Sequence, residues 1–467
     1  MSQPGKNGAG AGRPTLLRTL GPADGIAILL GITIGAGIFS TPQIIAGYLG
    51  SFSQILSLWV AVGIFVYIGG LIYAELGTRL PEAGGEYVYV SRALGPFAGF
   101  IFGWAQLFMI RTSPAAGLAI IIADYLGYFV RLSRPAHSFV TVAVILLLGA
   151  LNCVGIRQAS LMQKILAFTK TIGLFLLVVG GLILAQGHVS LLQTRAEPTM
   201  NLGAVGNLVA ALLMVFFAHT GIERLGYSAG EMKNPRKTIP LSLFAGIALV
   251  VVLYGLTNLL YHWTLGMDGV RGNTVVASAA AVKLAGPAGA VFVAVLVIAS
   301  AASSINGTMM TATRAYYAMA RDGLFFRWLD FIHPRFRTPS RAVIAHCGWA
   351  LVILFLRGTF EVIAAGMVFG VLIFWALNTV ALFKLRLRDP GGEGDFYRVP
   401  LYPWLPAVYL AGIVVFLVFR AATDWRRSIE DVAFIATGIP FYFFWQRKRK
   451  RAGLSPPPSI PSRKFLA

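Results

Sequence analysis

Near the N-terminus lies the run Gly25-Ile-Ala-Ile-Leu-Leu-Gly-Ile-Thr-Ile-Gly-Ala-Gly-Ile-Phe-Ser-Thr-Pro42, an apolar stretch that glycine interrupts near its middle. Glycine lets a helix unwind and lets a ligand approach the bare backbone. Within a bilayer, non-helical backbone is tolerated only where protein or a water-filled cavity supplies hydrogen-bond partners. The triplet Gly35-Ala36-Gly37 therefore predicts one of two things. It is either an unwound segment whose free amides attract an anion, or a close helix–helix contact between small residues.

Composition places the 467-residue chain among the helical integral membrane proteins. Hydrophobic residues make up 57% of the sequence and charged residues only 12%. Alternating strands of about ten residues, which a membrane barrel would need, are not evident. The net charge of +21 includes the tail Arg447-Lys-Arg-Lys-Arg451, which directly follows an apolar segment. This placement indicates contact with the anionic lipid of the bilayer and no nucleic-acid partner.

Twelve apolar segments are long enough to cross a membrane as helices. They lie at about 23–48, 53–78, 97–130, 138–156, 161–186, 202–226, 239–266, 286–317, 341–357, 360–383, 401–420 and 428–446. Most of the 39 Lys and Arg residues then fall on the side of the N-terminus. The positive-inside rule therefore predicts a multi-pass protein of the cell (inner) membrane with both termini in the cytoplasm. We expect cytoplasmic tails at 1–20 and 447–467 and no signal peptide.

The sixth segment contains a second interruption, in the stretch Met214-Val-Phe-Phe-Ala-His-Thr-Gly-Ile-Glu-Arg224. Apolar periodicity stops at His219-Thr220-Gly221, and the charged pair Glu223 and Arg224 follows. The two interruptions occupy corresponding positions in two successive sets of five segments. Broken helices at matching positions are the best sequence indication of a transporter's binding site. The two breaks together favour a transporter over a packing contact.

Short motifs follow one another from the first segment to the eighth. They are Ile34-Gly-Ala-Gly-Ile-Phe39 with Pro42, Tyr73-Ala-Glu-Leu-Gly77, Pro81-Glu-Ala-Gly-Gly-Glu-Tyr-Val-Tyr89, Ile110-Arg-Thr-Ser-Pro114, Phe217-Ala-His-Thr-Gly221, Ala229-Gly-Glu-Met-Lys-Asn-Pro235 with Ile239-Pro240, and Asn306-Gly307 before Thr313-Arg314 and Ala320-Arg-Asp-Gly323. Each motif is weak alone, but in this order they are specific. On these motifs the chain resembles the amino acid–polyamine–organocation superfamily, and within it the L-type amino acid transporters, over about residues 20–445.

The resemblance implies an all-α integral membrane protein with the leucine-transporter-like fold. This fold has twelve transmembrane helices, of which ten form a five-plus-five inverted repeat, and helices 1 and 6 are broken. In this sequence the transporter domain spans 21–446, with repeat one at about 21–186 and repeat two at about 200–385. Helices 11 and 12, at about 401–446, lie outside the repeat.

The resemblance also implies where the substrate binds. Its carboxylate is expected on the backbone amides of Gly35, Ala36 and Gly37. Its ammonium group is expected on the carbonyls of Thr33, Phe217 and Thr220. Free N–H groups favour an anion and helix C-terminal carbonyls favour a cation, so the physical argument agrees. The expected substrate-binding residues are Thr33, Ile34, Gly35, Ala36, Gly37, Phe217, Ala218, His219, Thr220 and Gly221.

Two basic residues of the apolar segments have open roles. A lysine such as Lys170, near a helix centre, costs about 2.5–3.5 kcal/mol on insertion scales. Its place matches a lysine of sodium-independent relatives that fills the space of a sodium ion, which implies ion coupling or gating. The alternative for Lys170 is a side chain that reaches the cytoplasmic surface. Ser303 and Ser304 either face the ammonium group of Lys170 or help the helices to pack.

Three roles are open for His219. It lines the pocket, carries a proton, or fills the break in the helix as a hydrogen-bonded residue.

Other charged residues are expected to be structural. Arg111 and Asp124 share the third segment but are too far apart to pair, and Arg111 is expected in a structural ion pair. Glu75 is expected to be structural as well. Glu223 and Glu231, with the loop Lys233 to Lys237, are expected to form an exposed cytoplasmic charge network that contributes little to stability. Ile222 stands where many L-type transporters carry tryptophan, which argues against a bulky gate there.

We expect a secondary active transporter that exchanges neutral L-amino acids without sodium by alternating access. Proton-coupled symport of an amino acid or related amine is the alternative. An enzyme is not expected because the six histidines are scattered and no nucleophile motif occurs. Neither a metal nor a cofactor is expected. The L-type relatives join a glycoprotein through a cysteine between helices 3 and 4, but residues 131–137 contain none, so no disulfide-linked partner is expected.

Overall fold

The chain is described here by a computed structural model. It describes residues 20–35, 37–81, 85–154, 156–184, 197–321, 323, 325–336, 338–389 and 396–451. Within these ranges the chain forms helices and no strand, apart from one isolated bridge between Leu20 and Met232. The predicted all-α architecture is confirmed.

The described residues of the first half of the chain form nine helices. They are α1 (Pro22–Thr33), α2 (Gly37–Ser40), α3 (Pro42–Tyr48), α4 (Phe52–Arg79), α5 (Glu86–Leu94), α6 (Pro96–Ala105), α7 (Thr112–Leu126), α8 (Arg134–Val154) and α9 (Ile156–Leu184). A single π-helical turn, Gln106–Ile110, joins α6 to α7. Such turns often occur at functional sites, and this one ends directly before Arg111.

In the second half, the part of the chain that the structure describes forms eight helices. They are α10 (Gly203–His219), α11 (Pro235–Arg271), α12 (Val276–Arg321), α13 (Ser340–Arg357), α14 (Phe360–Arg388), α15 (Trp404–Thr423), α16 (Trp425–Ala436) and α17 (Gly438–Arg451). A 3₁₀ segment, Ile222–Glu231, follows α10. The eighth predicted segment begins earlier than expected because α12 continues through a kink at Gly286, whose φ of 66° suits glycine.

Eleven helical segments of the described chain are long and apolar enough to cross a membrane. They coincide with the first eleven predicted segments. The twelfth, predicted as one helix at 428–446, is instead divided at Thr437 between α16 and α17, with 12 and 14 residues. Within α16, Asp431 is fully buried against Arg357 at 2.5 Å, which connects this helix to the end of α13. The number of twelve spanning helices stays a prediction.

The helices of the two halves pack directly on each other. α1 and α4 both pack along α11, and α12 packs against α7 and α9. α10 packs against α3 and α14. This arrangement places the junction of α1 with α2, and the end of α10, in the interior of the bundle.

Candidate functional site

The first interruption lies between α1 and α2. α1 ends at Thr33, and Ile34 leaves the helical conformation with ψ at 83°. The Gly35 amide donates to the Thr33 carbonyl at 2.7 Å, which closes a tight turn. α2 then begins at Gly37, and the first amides of a helix have no partner within it. Ala36, one of the predicted binding residues, lies outside the described residues.

The second interruption follows α10. α10 ends at His219, Thr220 is extended with ψ at 143°, and Gly221 has a φ of 123° that favours glycine. The Gly221 amide donates to Glu223 Oε2 at 2.9 Å, so this side chain fixes the turn. Both interruptions predicted from the sequence are therefore present at the predicted residues.

A cavity of about 40 Å³ lies where the two interruptions meet. A water molecule needs about 10–15 Å³ of cavity volume measured in this way, so the site has room for only a few waters. It is therefore contracted and has to widen before it admits an amino acid. Of the predicted binding residues, Ile34, His219 and Gly221 are not among those that line the cavity. The lining residues are Ile32, Thr33, Gly35, Gly37, Pro114, Leu118, Phe217, Ala218, Thr220, Arg224, Ser304 and Thr308.

Gly37 is the point of closest approach between the two interruptions. A Cβ atom at Gly37 would lie 3.0 Å from Ala218 Cα and 3.2 Å from Ala218 Cβ. Real Cβ atoms rarely have neighbours this close, and the neighbour here is backbone, which cannot give way easily. The position therefore requires glycine, because the amide has to reach the cavity past α10.

His219 packs away from the cavity. Its Nδ1 contacts the Val215 carbonyl at 2.9 Å, and its ring lies 5.5 Å from Trp59 and 5.2 Å from Tyr254, between centroids. The side chain is buried. The sequence left three roles open for His219. This geometry favours the third, a hydrogen-bonded residue that fills the space at the break in the helix.

Tyr254 of α11 is a site residue that sequence reasoning missed. Its hydroxyl lies 2.9 Å from the Thr33 carbonyl and 3.1 Å from the Ala218 carbonyl. One buried group therefore contacts both interruptions. A tyrosine in an apolar run gives no sequence signal of such a role, because most tyrosines in apolar helices only pack in the core.

We expect Tyr254→Phe to lower amino acid uptake into vesicles about tenfold. A buried neutral hydrogen bond contributes about 1 kcal/mol, and here its loss also leaves a carbonyl unsatisfied. Tyr261→Phe is the matched control, since this buried hydroxyl on the same helix has no partner in the described structure. The measurement is the initial rate of amino acid uptake by each variant, normalised to the amount of inserted protein. Equal rates in the two variants would remove Tyr254 from the site.

Lys170 lies next to the first interruption. Its side chain is fully buried, and Nζ donates to the Gly31 carbonyl of α1. The two serines face other groups: Ser303 Oγ accepts from Gln163 at 3.1 Å, whereas Ser304 lines the cavity opposite Gly35. The lysine thus reaches α1, not the cytoplasmic surface, and its role in ion coupling stays a prediction.

Four ionisable side chains, those of Glu86, Arg111, Glu223 and Arg224, form a buried network beside the second interruption. Arg111 Nη1 lies 3.7 Å from Glu223 Oε1, and Arg111 Nη2 lies 3.9 Å from Glu86 Oε2. Arg224 Nε lies 3.7 Å from Glu223 Oε1, and Arg224 Nη1 donates to Thr308 at 3.0 Å. The predicted ion pair of Arg111 is present. The prediction of an exposed network at Glu223 is wrong, because its side chain is only 3% exposed and turns inward to fix Gly221.

Two further acidic residues behave as the sequence predicts. Glu75 is bound by Arg386 at 2.7 and 2.5 Å and accepts from the Val399 amide at 2.8 Å. This is a structural pairing. Asp124 does not contact Arg111 but pairs with His137 at 2.8 Å. The side chain of Glu231 lies outside the described residues.

Glu86 begins α5, which lies outside the spanning segments. Burial and the neighbouring Glu223 carboxylate raise the pKa of Glu86 from 4.5 to about 8, against the opposing effect of Arg111. Its Oε1 accepts from Tyr73 at 2.7 Å and from Asn378 at 3.1 Å. The Tyr73 hydrogen bond lowers the pKa but does not cancel the effect of burial, so near neutral pH Glu86 binds a proton more readily in the folded protein than in the unfolded chain.

This proton makes stability depend on pH. Between about pH 4.5 and 8 the folded state binds more protons at Glu86, so stability falls as pH rises through this window. We expect Glu86→Gln, which cannot ionise, to flatten the decline of the melting temperature over that range. Exposed Glu430 provides the control, and Glu430→Gln should keep the wild-type slope. An unchanged slope in Glu86→Gln would contradict the assignment.

The architecture and the site together define a class of protein. Two helices are interrupted inside a helical membrane bundle, and their backbone groups share one cavity. Among membrane proteins this construction is that of a secondary transporter. The sequence model of the family described as "Amino acid permease" matches residues 20–439, so the chain belongs to this family.

Individual relatives span nearly the whole chain. The chain is 29% identical over 438 residues to the serine/threonine exchanger SteT of Bacillus subtilis, covering 93% of this chain and 98% of the relative. It is 31% identical over 451 residues to the human Asc-type amino acid transporter 1, covering 94% and 84%. Identity to the human cystine/glutamate transporter is 28% over 442 residues, covering 93% and 86%.

Proposed function

We propose that this chain is a secondary active transporter that exchanges neutral L-amino acids without sodium, by alternating access. The observation that carries the proposal is the shared cavity, where backbone groups of both interruptions meet. The printed names of the relatives, an exchanger of serine and threonine among them, support amino acid exchange.

The site matches a zwitterion through backbone groups. The amides at the start of α2, with Gly37 first among those described, receive the carboxylate. The ammonium group binds the carbonyls of Thr33, Phe217 and Thr220 at the ends of the broken helices. Lining side chains such as Pro114 and Leu118 then select small or apolar substrate side chains.

The contracted state satisfies two of these carbonyls internally. The Thr33 carbonyl accepts from Tyr254 and from the Gly35 amide. The Phe217 carbonyl accepts from Thr220, through its hydroxyl at 2.8 Å and its amide at 3.3 Å. A substrate ammonium group replaces these donors when the cavity widens. Because a ligand shifts a conformational equilibrium only by its differential affinity, this replacement is what couples binding to movement.

The proposed function also implies the division into repeats, the membrane location and the partners of the chain. Repeat one comprises about 21–186 and repeat two about 200–385, with 401–446 outside both repeats. The protein lies in the cell (inner) membrane with both termini in the cytoplasm. No disulfide-linked heavy chain is involved, since Cys153 and Cys347 lie within helices and 131–137 lacks cysteine.

Lys170 supplies a fixed positive charge beside α1. Its ammonium group holds the Gly31 carbonyl, where a sodium-coupled transporter would place an ion. We therefore expect that replacing sodium by choline leaves the initial rate of uptake unchanged within about twofold. A steep dependence on sodium in wild-type vesicles would refute this role and leave Lys170 as a structural residue.

The function is tested by reconstituting the purified protein in vesicles and measuring uptake of labelled amino acids. Unlabelled neutral, acidic and basic amino acids then compete against one transported label. We expect neutral L-amino acids to compete and their D-enantiomers to compete poorly. Uptake no greater than in protein-free vesicles, across the whole panel, would contradict the proposal.

A further inference from the structure

A second and larger cavity, of about 300 Å³, lies apart from the contracted site. Its walls come from α3, from the first turns of α10 and α14, and from the junction of α15 with α16. In the proposed orientation these helix ends face the outside of the cell. The lining residues are Ile44, Tyr48, Leu202, Gly206, Val209, Ala210, Leu213, Met214, Glu361, Val362, Ala365, Arg420, Thr423, Asp424 and Arg427.

An aromatic pair separates the two cavities. Phe217 lines the contracted site, and the Phe360 ring packs on it edge to face, with centroids 5.1 Å apart. Met214, about one turn before Phe217, lines the outer cavity, as does Glu361, which directly follows Phe360. A molecule in the outer cavity is therefore one aromatic barrier away from the contracted site.

Arg420 presents a buried donor to the outer cavity. Its side chain is 3% exposed, and its Nε has no hydrogen-bond partner in the described part of the chain. Its Nη1 lies 3.1 Å from Asp424 Oδ2, and Arg427 Nε lies 3.6 Å from the same oxygen. Leaving a buried charged donor unpaired is costly, and a carboxylate is the acceptor that a guanidinium fork fits best.

Glu361 supplies the opposite charge. It lies exposed in the first turn of α14 and forms no ion pair with any described residue. The remaining wall is mostly apolar, with Val209, Leu213 and Met214 along one side. The cavity thus combines a guanidinium whose Nε has no partner among the described residues, a carboxylate outside any described ion pair and an apolar wall. These three features complement an apolar amino acid.

We propose that this outer cavity binds a second amino acid, with its carboxylate on Arg420, its ammonium group on Glu361 and its apolar side chain against α10. The ligand class rests on the proposed function, but the site uses neither interrupted helix end. A phosphatidylethanolamine headgroup carries a similar pair of charges, so the experiment has to separate free amino acid from lipid.

The test is equilibrium binding of tritiated L-leucine to the full-length protein in phosphatidylglycerol nanodiscs. Gly37→Val removes the contracted site, and we expect this variant to bind about one leucine per chain. Adding Glu361→Gln should weaken that binding at least tenfold, and adding Ala210→Trp should fill the cavity and abolish it. Exposed Glu430 on α16 lies outside the cavity, so adding Glu430→Gln should change nothing.

Each outcome is decisive. If Gly37→Val, still monodisperse, binds no leucine, the outer site is wrong, whereas uptake by wild-type vesicles judges the proposed function separately. If binding persists unchanged with Glu361→Gln or Ala210→Trp, the outer site is also wrong. If discs with phosphatidylethanolamine bind leucine as well as phosphatidylglycerol discs do, the lipid headgroup does not occupy the cavity and the amino acid assignment is supported.

Discussion

Gly37→Val is expected to reduce amino acid uptake by about a hundredfold or more while the protein still inserts in the membrane. The added Cβ would lie 3.0 Å from Ala218 Cα, and valine adds two further methyl groups in the same space. Overpacking of this kind costs about 1–3 kcal/mol. The valine also shields the amide at the start of α2, so the substrate carboxylate loses its donor.

The control is Gly255→Val on α11, where a Cβ would have no neighbour within 4 Å. It makes the same chemical change in an apolar helix and should keep most of the uptake. Uptake by Gly37→Ala should lie between that of Gly37→Val and that of Gly255→Val, because the alanine Cβ meets Ala218 without the extra methyl groups. Full uptake by a monodisperse Gly37→Val protein would contradict the carboxylate site.

The positions of both interruptions could be predicted because local chemistry determines them. Gly35 and Gly37 break an apolar run where no loop is expected, and Gly221 precedes a charged pair that a spanning helix would exclude. Such local signals need no tertiary information. The structure places these residues around one cavity, which the correspondence between the two halves had already indicated.

The remaining features depend on contacts between distant residues. Tyr254 lies 221 positions from Thr33 in the chain, so its role as a shared donor has no local signal. Glu223 resembles a loop residue in sequence, but Arg111 and Arg224 make its burial possible. Asp431 of α16 is buried against Arg357, which ends α13 and is distant in the chain.

The charge network gives the second interruption a fixed connection to the rest of the bundle. Glu223 binds the Gly221 amide and faces Arg111 of the third segment, while Glu86 of α5 faces the same guanidinium. Movement of the turn at Gly221 therefore requires these buried groups to move together. Removing one partner of a buried charged pair costs about 3–5 kcal/mol, so the network restricts the turn to a few arrangements.

We propose that the two broken helices switch between access to the outside and access to the cytoplasm only with a zwitterion bound between them. Without substrate, the carbonyls of Thr33 and Phe217 are held by Tyr254, Gly35 and Thr220. Reorientation of the empty carrier would then break these bonds without replacement. Exchange follows from this, whereas proton-coupled symport would require an empty carrier that reorients readily.

The most direct measurement compares uptake of a labelled amino acid into vesicles preloaded with unlabelled substrate and into empty vesicles. We expect at least tenfold faster uptake into preloaded vesicles and little further gain from an inward proton gradient. Concentrative uptake into empty vesicles that a protonophore abolishes would contradict it. Loss of that proton response in His219→Gln or Lys170→Ala would then identify the proton carrier of a symporter.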